Sequence, residues 1–178
     1  MKPSIAMLLF SVLLSAQAVK KEEEKLAPYF PTPPSVVLRM LQLTALKKGE
    51  KMFDLGSGDG RIVIMAAKRF GADSTGVEID AALCRQSTAE IKRQGLDATA
   101  RVLCGDALQQ DYSSANVVTV YLLPEFNAKL RPLLEKQLKK GTRVVAHDFE
   151  FSGWKPETVE HIEDDGEGRS HSIFVYRR

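Results

Sequence analysis

A loop in the first third of the sequence, residues 53–60, reads FDLGSGDG and has the composition of a ligand-binding loop. Glycine stands at every second position between an apolar strand pattern and a helical pattern. Glycine lets the backbone turn tightly and lets a ligand approach without a Cβ in the way. The helix that follows points its free N–H groups at the same place. We predict that this loop binds a cofactor through Gly56, Ser57, Gly58, Asp59 and Gly60.

Two features distinguish this loop from the fingerprint of a dinucleotide-binding protein. Its spacing is GxGxG rather than GxGxxG, and Asp54 and Asp59 place carboxylates where a pyrophosphate would be repelled. The same carboxylates would attract a ligand that carries an ammonium or a sulfonium group. S-adenosylmethionine carries both groups, so we predict that it is the cofactor.

Acidic residues also end the next two predicted strands. Glu78, in the segment GVEID, follows the glycine loop by about 20 residues, where a carboxylate accepts hydrogen bonds from ribose hydroxyls. Asp106, in the segment GDA, can accept from an adenine amino group. Each acid taken singly is equally compatible with a solvated loop or a helix cap, and Asp80 is predicted to be a cap. Together with the loop they indicate one crevice at the carboxyl ends of parallel strands.

The elements that position these residues alternate between strand and helix patterns. An amphipathic helix is predicted over 35–46, after a proline-rich segment. We then predict strands over 51–55, 74–79, 101–104, 116–123 and 142–149, with helices over 61–70, 80–94 and 125–139. Two last strands, 159–162 and 172–176, flank an acidic, glycine-bearing turn. This order predicts an α/β, doubly wound, mostly parallel seven-strand sheet with a C-terminal antiparallel hairpin.

The N-terminus has the three parts of a secretory signal peptide. Lys2 precedes an apolar run over 5–14, and small residues end the segment at Ala18. The apolar run is too short for a membrane-spanning helix. We therefore predict a signal peptide over 1–18, a charged leader over 19–26 and one domain over 27–178. This predicts an exported, periplasmic or secreted, protein, and a cytoplasmic one if the signal is not used.

Composition restricts the partners. The chain has 178 residues and a formal net charge of +2, so no strong field favours nucleic acid as a partner.

The two cysteines, Cys84 and Cys104, lie in apolar contexts, and we expect two unpaired thiols rather than the disulfide that an exported protein can form. We see no cluster with metal-ligand spacing, and we expect a monomer.

Three motifs resemble those of the class I, seven-strand methyltransferases that use S-adenosylmethionine. They are DLGSGDGR at 54–61, GVEID at 76–80 and GDA at 105–107. The resemblance covers most of the chain after the leader and implies a Rossmann-like fold. It implies cofactor contacts at Asp54, Gly56, Gly58, Glu78, Ile79, Asp106 and Ala107.

A narrower resemblance involves PYFPTP at 28–33. This segment is similar to one in the small lysine methyltransferases that modify mitochondrial inner-membrane proteins. There it lies over the cofactor, which implies that Tyr29, Thr32 and Pro33 reach the site. The sequence YLLPE at 121–125 departs from that group, because no residue in it matches one that selects lysine. The predicted export also departs from it.

The candidate catalytic residues lie at the end of the fourth predicted strand. Tyr121 can orient an amine through its hydroxyl, and Glu125 can accept a proton. Tyr121 can equally cap the core, and Glu125 can simply favour the first turn of a helix. His147 and Asp148, at the end of the fifth predicted strand, are a further candidate pair, although a single histidine is more often structural.

The methyl acceptor is predicted to be a protein lysine or another amine. No Asn/Asp-Pro-Pro-aromatic run follows the fourth strand, which argues against methylation of adenine or glutamine. Two alternatives stay open: a small-molecule methyltransferase, and a non-catalytic exported module that binds an adenosyl ligand.

Overall fold

A computed structural model describes residues 30–178 of the chain. The predicted signal peptide, the leader and Tyr29 lie outside the described residues. The strands are β1 (Lys51–Leu55), β2 (Asp73–Glu78), β3 (Ala100–Cys104), β4 (Val117–Val120), β5 (Arg143–His147), β6 (Thr158–Ile162) and β7 (His171–Arg177). The helices are α1 (Pro34–Leu43), α2 (Arg61–Met65), α3 (Ala81–Arg93) and α4 (Pro124–Gln137). A π-helical turn, Ala66–Phe70, continues α2, and a 3₁₀ turn covers Ala107–Gln109.

The seven strands form one sheet in the order β3-β2-β1-β4-β5-β7-β6. The first five pair in parallel, and β7 pairs antiparallel with both β5 and β6. The predicted doubly wound sheet with its C-terminal hairpin is therefore confirmed. The hairpin places β7 beside β5 and leaves β6 at the edge.

Side chains of the central strands alternate between two apolar layers. In β1, Met52 packs with α1 and α2 on one face, and Phe53 packs with α4 on the other. In β5, Val145 lies on the same face as Met52, and Val144 lies on the same face as Phe53. Since successive side chains of a strand point to opposite faces, helices must cover both sides of such a sheet. The carboxyl ends of β1, β2 and β4 stay free for a site between the layers.

The fourth strand is shorter than predicted. It ends at Val120, where its pairing with β1 and β5 ends, so residues 121–123 leave the sheet. Pro124 begins α4, and a proline keeps the residue before it out of the helical conformation. The apolar residues at 121–123 extended the strand pattern in the sequence, but they connect the sheet to α4.

The fifth strand also ends early, at His147, because Asp148 has a positive φ of 57°. The first helix stops at Leu43 rather than at residue 46, since Ala45 is left-handed with φ 48°. Trp154 stacks on Phe151 and contacts Tyr176 of β7, so it packs against the hairpin.

The expectation of two free thiols is wrong. Cys84 in α3 and Cys104 at the end of β3 form a disulfide, with their Cα atoms 5.6 Å apart. Cys84 is buried, whereas Cys104 lies on an exposed edge strand, and only the fold brings the two together. Within residues 30–178, no helix has both the length and the apolar character needed to cross a bilayer.

Candidate active site

A cleft with about 780 Å³ of empty space, partly open to solvent, lies at the carboxyl ends of β1, β2 and β4. Predicted residues that line it are Thr32, Asp54, Gly56, Ser57, Gly58, Asp59, Glu78, Ile79 and Tyr121. Phe30, Pro31, Arg61, Ile62, Asp80, Leu83 and Leu122 line it as well. The structure therefore brings most of the predicted site residues into one cavity.

The glycine loop is held against the end of β2. The backbone N–H groups of Gly56 and Ser57 both donate to the carbonyl of Val77, at 2.9 and 3.0 Å. Gly56 has a φ of 76°, and a Cβ built there would meet Leu122 Cδ2 at 2.7 Å. Glycine is thus required at this turn for its conformation, and a larger residue would also displace the Leu122 side chain.

A second glycine is required inside β2. A Cβ built on Gly76 would lie 2.5 Å from Ser57 Oγ and 2.7 Å from Ser57 Cβ. The side chain of Ser57 is buried in the space that a larger residue at 76 would fill. The first residue of the GVEID motif is therefore a glycine because Ser57 of the loop packs against it. Sequence spacing alone does not reveal this contact.

Asp54 is the most deeply buried acid of the cleft. Asp54 is 2% exposed, and the Thr119 hydroxyl (Oγ1) donates a hydrogen bond to Asp54 Oδ1 at 2.6 Å. Burial, together with the nearby charges of Glu78 and Asp59, raises the pKa of this carboxyl to about 7, although the Thr119 hydrogen bond opposes the rise. The ionised form of Asp54 would therefore be stabilised by a cationic ligand.

Glu78 connects the end of β2 to the loop. Its Oε2 accepts from the backbone N–H of Gly58 at 2.6 Å, and its Oε1 accepts from that of Asp80 at 2.8 Å. Each carboxylate oxygen can accept a second hydrogen bond, so the group is oriented but not saturated. Asp80, as predicted, caps α3 by accepting from the N–H groups of Ala82 and Leu83.

Sequence reasoning missed Arg61. Its guanidinium forks onto the Asp59 carboxylate, with Nη2 2.7 Å from Oδ2, and Nη1 donates to the carbonyl of Thr32 at 3.0 Å. Arg61 thus links Asp59 of the loop to Thr32 in the N-terminal segment that lines the cleft. It also neutralises much of the charge of Asp59. An arginine directly after a glycine loop was the available signal.

Five predicted residues are not among those that line the cleft: Gly60, Pro33, Asp106, Ala107 and Glu125. Gly60 is the left-handed residue before α2, with φ 78°, and Pro33 is buried at the start of α1. Asp106 caps the 3₁₀ turn by accepting from the N–H of Leu108 at 2.8 Å, and Ala107 is buried beside it. Glu125 is exposed in the first turn of α4.

Tyr121 lies where the cleft meets a cluster of ionisable side chains. Its ring centroid is 4.0 Å from that of His147, and its ring stacks near Phe149 at 6.2 Å. Burial raises the pKa of the Tyr121 hydroxyl to about 12, and the charge of Asp148 and a hydrogen bond to it add to the rise. Tyr121 is thus a neutral phenol near the carboxylate of Asp148.

His147 is fully buried, and sequence reasoning did not identify its histidine partner. Its Nδ1 is 3.1 Å from Thr32 Oγ1, and its Nε2 is 2.9 Å from Nδ1 of His171 in β7. Burial lowers the pKa of its imidazole to about 4, against the opposing charge of Asp148. His171 was not foreseen, because the hairpin alone brings β7 beside β5.

The donor set of the cleft suits a cationic adenosyl ligand. The side chains of Asp54, Asp59, Glu78 and Asp80 offer carboxylates, and Arg61, the cation among the lining residues, is paired with Asp59. Ile79, Leu83 and Leu122 offer apolar surface beside them. A pyrophosphate would meet net negative charge here, whereas a sulfonium with an α-ammonium would meet its complement.

A family model described as the ANTKMT methyltransferase domain matches residues 54–158, from the buried aspartate of β1 to the start of β6. The chain belongs to this methyltransferase family. The match covers the glycine loop, Glu78, Tyr121 and His147. The prediction of a methyltransferase with a class I fold is confirmed.

Similar proteins agree with this membership. A protein-lysine N-methyltransferase of Saccharolobus islandicus (strain REY15A) is 43% identical over 150 residues, 84% of this chain and 92% of the relative. An adenine nucleotide translocase lysine N-methyltransferase of Mus musculus is 31% identical over 132 residues, 74% of this chain. That match covers only 57% of the mouse protein.

A solved structure extends the comparison to the cofactor. The crystal structure of an RNA methyltransferase from Salinibacter ruber, in complex with S-adenosyl-L-homocysteine, has a TM-score of 0.76 and 41% sequence identity. It covers 83% of this chain and 93% of that chain. S-adenosyl-L-homocysteine is what S-adenosylmethionine becomes when it loses its methyl group. The predicted dependence of this methyltransferase on S-adenosylmethionine is confirmed.

Proposed function

We propose that this methyltransferase transfers the methyl group of S-adenosylmethionine to a lysine side chain of a protein. The observation that carries the proposal is Tyr121, a half-buried neutral phenol between the acidic cleft and Asp148. The 43% identical Saccharolobus relative, a protein-lysine N-methyltransferase, supports the same substrate class.

On the cofactor side, we assign one charged and one neutral polar group of the ligand to the two buried acids. Asp54 would face the α-ammonium, and Glu78 would accept from the ribose hydroxyls with its remaining lone pairs. The remaining loop residues, Gly56, Ser57, Gly58, Asp59 and Gly60, would shape the backbone around the ligand. Ile79 would contact the adenine, and Thr32 would cover the ligand from the N-terminal segment, with Pro33 fixing the start of α1.

Asp106 and Ala107 are proposed for the adenine edge. The Oδ2 atom of Asp106 accepts from the flexible side-chain amide of Gln109, at 3.2 Å, while Oδ1 holds the N–H of Leu108. An adenine amino group can replace the Gln109 amide without loss of the cap on Leu108.

On the acceptor side, Tyr121 would position the amine. Because a phenol oxygen can accept as well as donate a hydrogen bond, Tyr121 can accept an N–H of the substrate amine. Bound S-adenosylmethionine supplies an activated methyl group on a sulfonium sulfur. The chain needs to align the amine with it and to remove water, and desolvation in the cleft lowers the pKa of a lysine amine toward the neutral, nucleophilic form. Glu125 does not line the cleft, so we assign it no contact with the amine. Its one proposed role is to accept, at the rim of the cleft, the proton that the amine releases.

The experiment that tests the substrate class compares three acceptors with tritiated S-adenosylmethionine. Purified full-length chain is incubated with a lysine-rich protein, with an unmodified RNA transcript, or with free lysine. The proposal predicts label in the protein, recovered as methyl-lysine after acid hydrolysis. Label confined to RNA would contradict a lysine acceptor and would agree with the RNA methyltransferase from Salinibacter ruber. Label confined to the free amino acid would favour the small-molecule alternative.

We also infer that the chain is exported. The predicted signal peptide supports this inference, and so does the Cys84–Cys104 disulfide, since disulfides persist in oxidising compartments. Mass spectrometry of the protein from its native host, after alkylation of free thiols, tests both features. Export predicts an N-terminus near residue 19 and no alkylated cysteine. A retained Met1 with two alkylated thiols would contradict it.

A further inference from the structure

Three side chains at the ends of β5 and β7 direct ligand atoms at one point. His147 Nε2 and His171 Nδ1 are 2.9 Å apart, and Asp148 Oδ2 lies 3.2 Å from His171 Nδ1 and 3.4 Å from His147 Nε2. Two ligands at about 2.05 Å from a metal ion are about 2.9 Å apart at a right angle and about 3.35 Å apart at a tetrahedral angle. All three separations fall in or next to this interval.

The outer nitrogen of each histidine already has a partner that accepts a hydrogen bond. His147 Nδ1 is 3.1 Å from Thr32 Oγ1, and His171 Nε2 is 3.2 Å from Oδ2 of Asp165, whose side chain is fully buried. Metal-binding histidines almost always donate their second N–H to such a carboxylate, hydroxyl or carbonyl. When each ring donates its N–H to this outer partner, both inner nitrogens are left to bind an ion.

The inner atoms of the three side chains are close enough to share one cation. His147 Nε2 and His171 Nδ1 can share a proton, and both nitrogens lie within 3.4 Å of Asp148 Oδ2. A divalent ion in the place of that proton would be coordinated by two imidazole nitrogens and one carboxylate oxygen.

Asp148 is also held in a conformation that fits this role. Its φ of 57° is uncommon for a residue other than glycine, and strained backbone of this kind clusters at functional sites. Its Oδ1 accepts from the backbone N–H of Ser172 at 2.9 Å, which fixes the carboxylate and turns Oδ2 toward the histidines. The Asp148 side chain is 24% exposed while that of His171 is 4% exposed, so an ion would enter from the side of Asp148.

We propose that His147, Asp148 and His171 bind a first-row divalent transition-metal ion of the zinc type. Two imidazoles and one carboxylate are donors that suit zinc, cobalt, nickel or ferrous iron better than magnesium or calcium. The ion would join β5 to β7 and, through the hydrogen bond between His147 and Thr32, would hold the segment that covers the cleft. The site is independent of the identity of the methyl acceptor.

The test uses the full-length protein, stripped of metal by dialysis against a chelator and then titrated with Zn²⁺ or Co²⁺. The proposal predicts about one bound ion per chain and, for Co²⁺, visible absorption bands of a nitrogen–oxygen site. Asp148→Asn and His171→Gln should abolish this binding. Asp165→Asn, which touches no metal, should weaken it by about 10- to 100-fold.

His161→Gln is the matched control. The chain has three histidines, and His161 is the exposed one, 3.0 Å from Ser172 Oγ. This variant should bind the metal like the parent protein. Circular dichroism of each variant identifies any that fails to fold, and the titration of the parent protein stands without them. A parent protein that binds no Zn²⁺ or Co²⁺ at micromolar concentrations would overturn the proposal. Undiminished binding in a folded Asp148→Asn or His171→Gln variant would overturn it as well.

Discussion

Glu78 and Gly58 are joined by a 2.6 Å hydrogen bond from the backbone N–H of the glycine to the carboxylate, across 20 residues of sequence. This bond fixes the acid that ends β2 against the glycine loop that follows β1. The conformation of the loop and the position of the predicted ribose acceptor therefore depend on one contact.

Glu78→Gln should weaken the binding of S-adenosylmethionine by roughly 10- to 100-fold, since hydrogen bonds to a charged group contribute about 1.5–3 kcal/mol. The amide keeps the shape of the side chain. It lacks the negative charge of the carboxylate, to which both the loop N–H and the ribose hydroxyls would donate hydrogen bonds. Isothermal titration calorimetry measures the change. Glu157→Gln is the control, because Glu157 is exposed and pairs with Arg177 at the opposite end of the sheet. Equal affinities for the two variants would remove Glu78 from the cofactor site.

Asp54 should make cofactor binding depend on pH. Its raised pKa, about 7, means that the carboxyl of the free protein is largely protonated below neutrality, whereas a cationic ligand favours the ionised form. Affinity for S-adenosylmethionine should therefore rise from about pH 5.5 to about pH 8 and level off above the pKa. Calorimetry in two buffers of different ionisation enthalpy should detect proton release below neutrality. Asp54→Asn should bind weakly at every pH, and a steep pH dependence that persists in this variant would refute the assignment.

The same group affects the stability of the ligand-free protein. Because the folded-state pKa of Asp54 lies above the unfolded-state value of about 3.8, the folded state binds the proton more tightly. The contribution is fully present below about pH 3.8 and is lost as the pH rises through about 7. Urea unfolding of the parent and of Asp54→Asn, compared at about pH 5 and about pH 8, isolates this contribution. We expect a larger loss of stability toward the higher pH in the parent, and an equal change in both proteins would argue against the raised pKa.

The Cys84–Cys104 disulfide should contribute about 3 kcal/mol to the free energy of unfolding, as expected from the entropy of closing a loop of this length. Urea unfolding with and without a reducing agent measures the contribution. Cys104→Ser, at the exposed end of the bond, should match the reduced protein and should no longer respond to the reductant. A parent protein that unfolds identically in both conditions would show that the two thiols are not joined in solution.

Tyr121→Phe should lower kcat by about tenfold, the value of one neutral hydrogen bond, and leave the affinity for S-adenosylmethionine unchanged. The phenyl ring keeps the packing on His147 and removes only the hydroxyl oxygen. Steady-state kinetics and calorimetry separate the two effects. A parallel loss of cofactor affinity would place Tyr121 on the cofactor side instead.

The part of the cleft around the glycine loop, which we propose for the cofactor, was predictable because its signals are local. The glycine spacing, Glu78 and Asp54 lie at the ends of strands that apolar patterns identify, and parallel strands bring their carboxyl ends to one edge. Arg61 lies in the same stretch but contributes through a contact with Thr32, 29 residues earlier in the chain, which no pattern encodes.

The other half depends on contacts distant in sequence. His147 meets His171 only because β7 inserts between β5 and β6, and Cys84 meets Cys104 only because α3 packs beside the end of β3. The predicted end of the fourth strand was wrong for a different reason. Leu122 and Leu123 are apolar because they pack in the core, although the strand pairing has already ended at Val120. A hydropathy pattern indicates which residues are buried, but it does not indicate which of them form hydrogen bonds with a neighbouring strand.

The most direct test of a protein-lysine methyltransferase is mass mapping of a lysine-rich protein after incubation with S-adenosylmethionine and the full-length chain. We expect mass increments of one methyl group on lysine ε-nitrogens, with one S-adenosyl-L-homocysteine formed for each, and much slower formation of both with Tyr121→Phe. Production of S-adenosyl-L-homocysteine with every lysine unmodified and the methyl group found on another acceptor would contradict the proposed function.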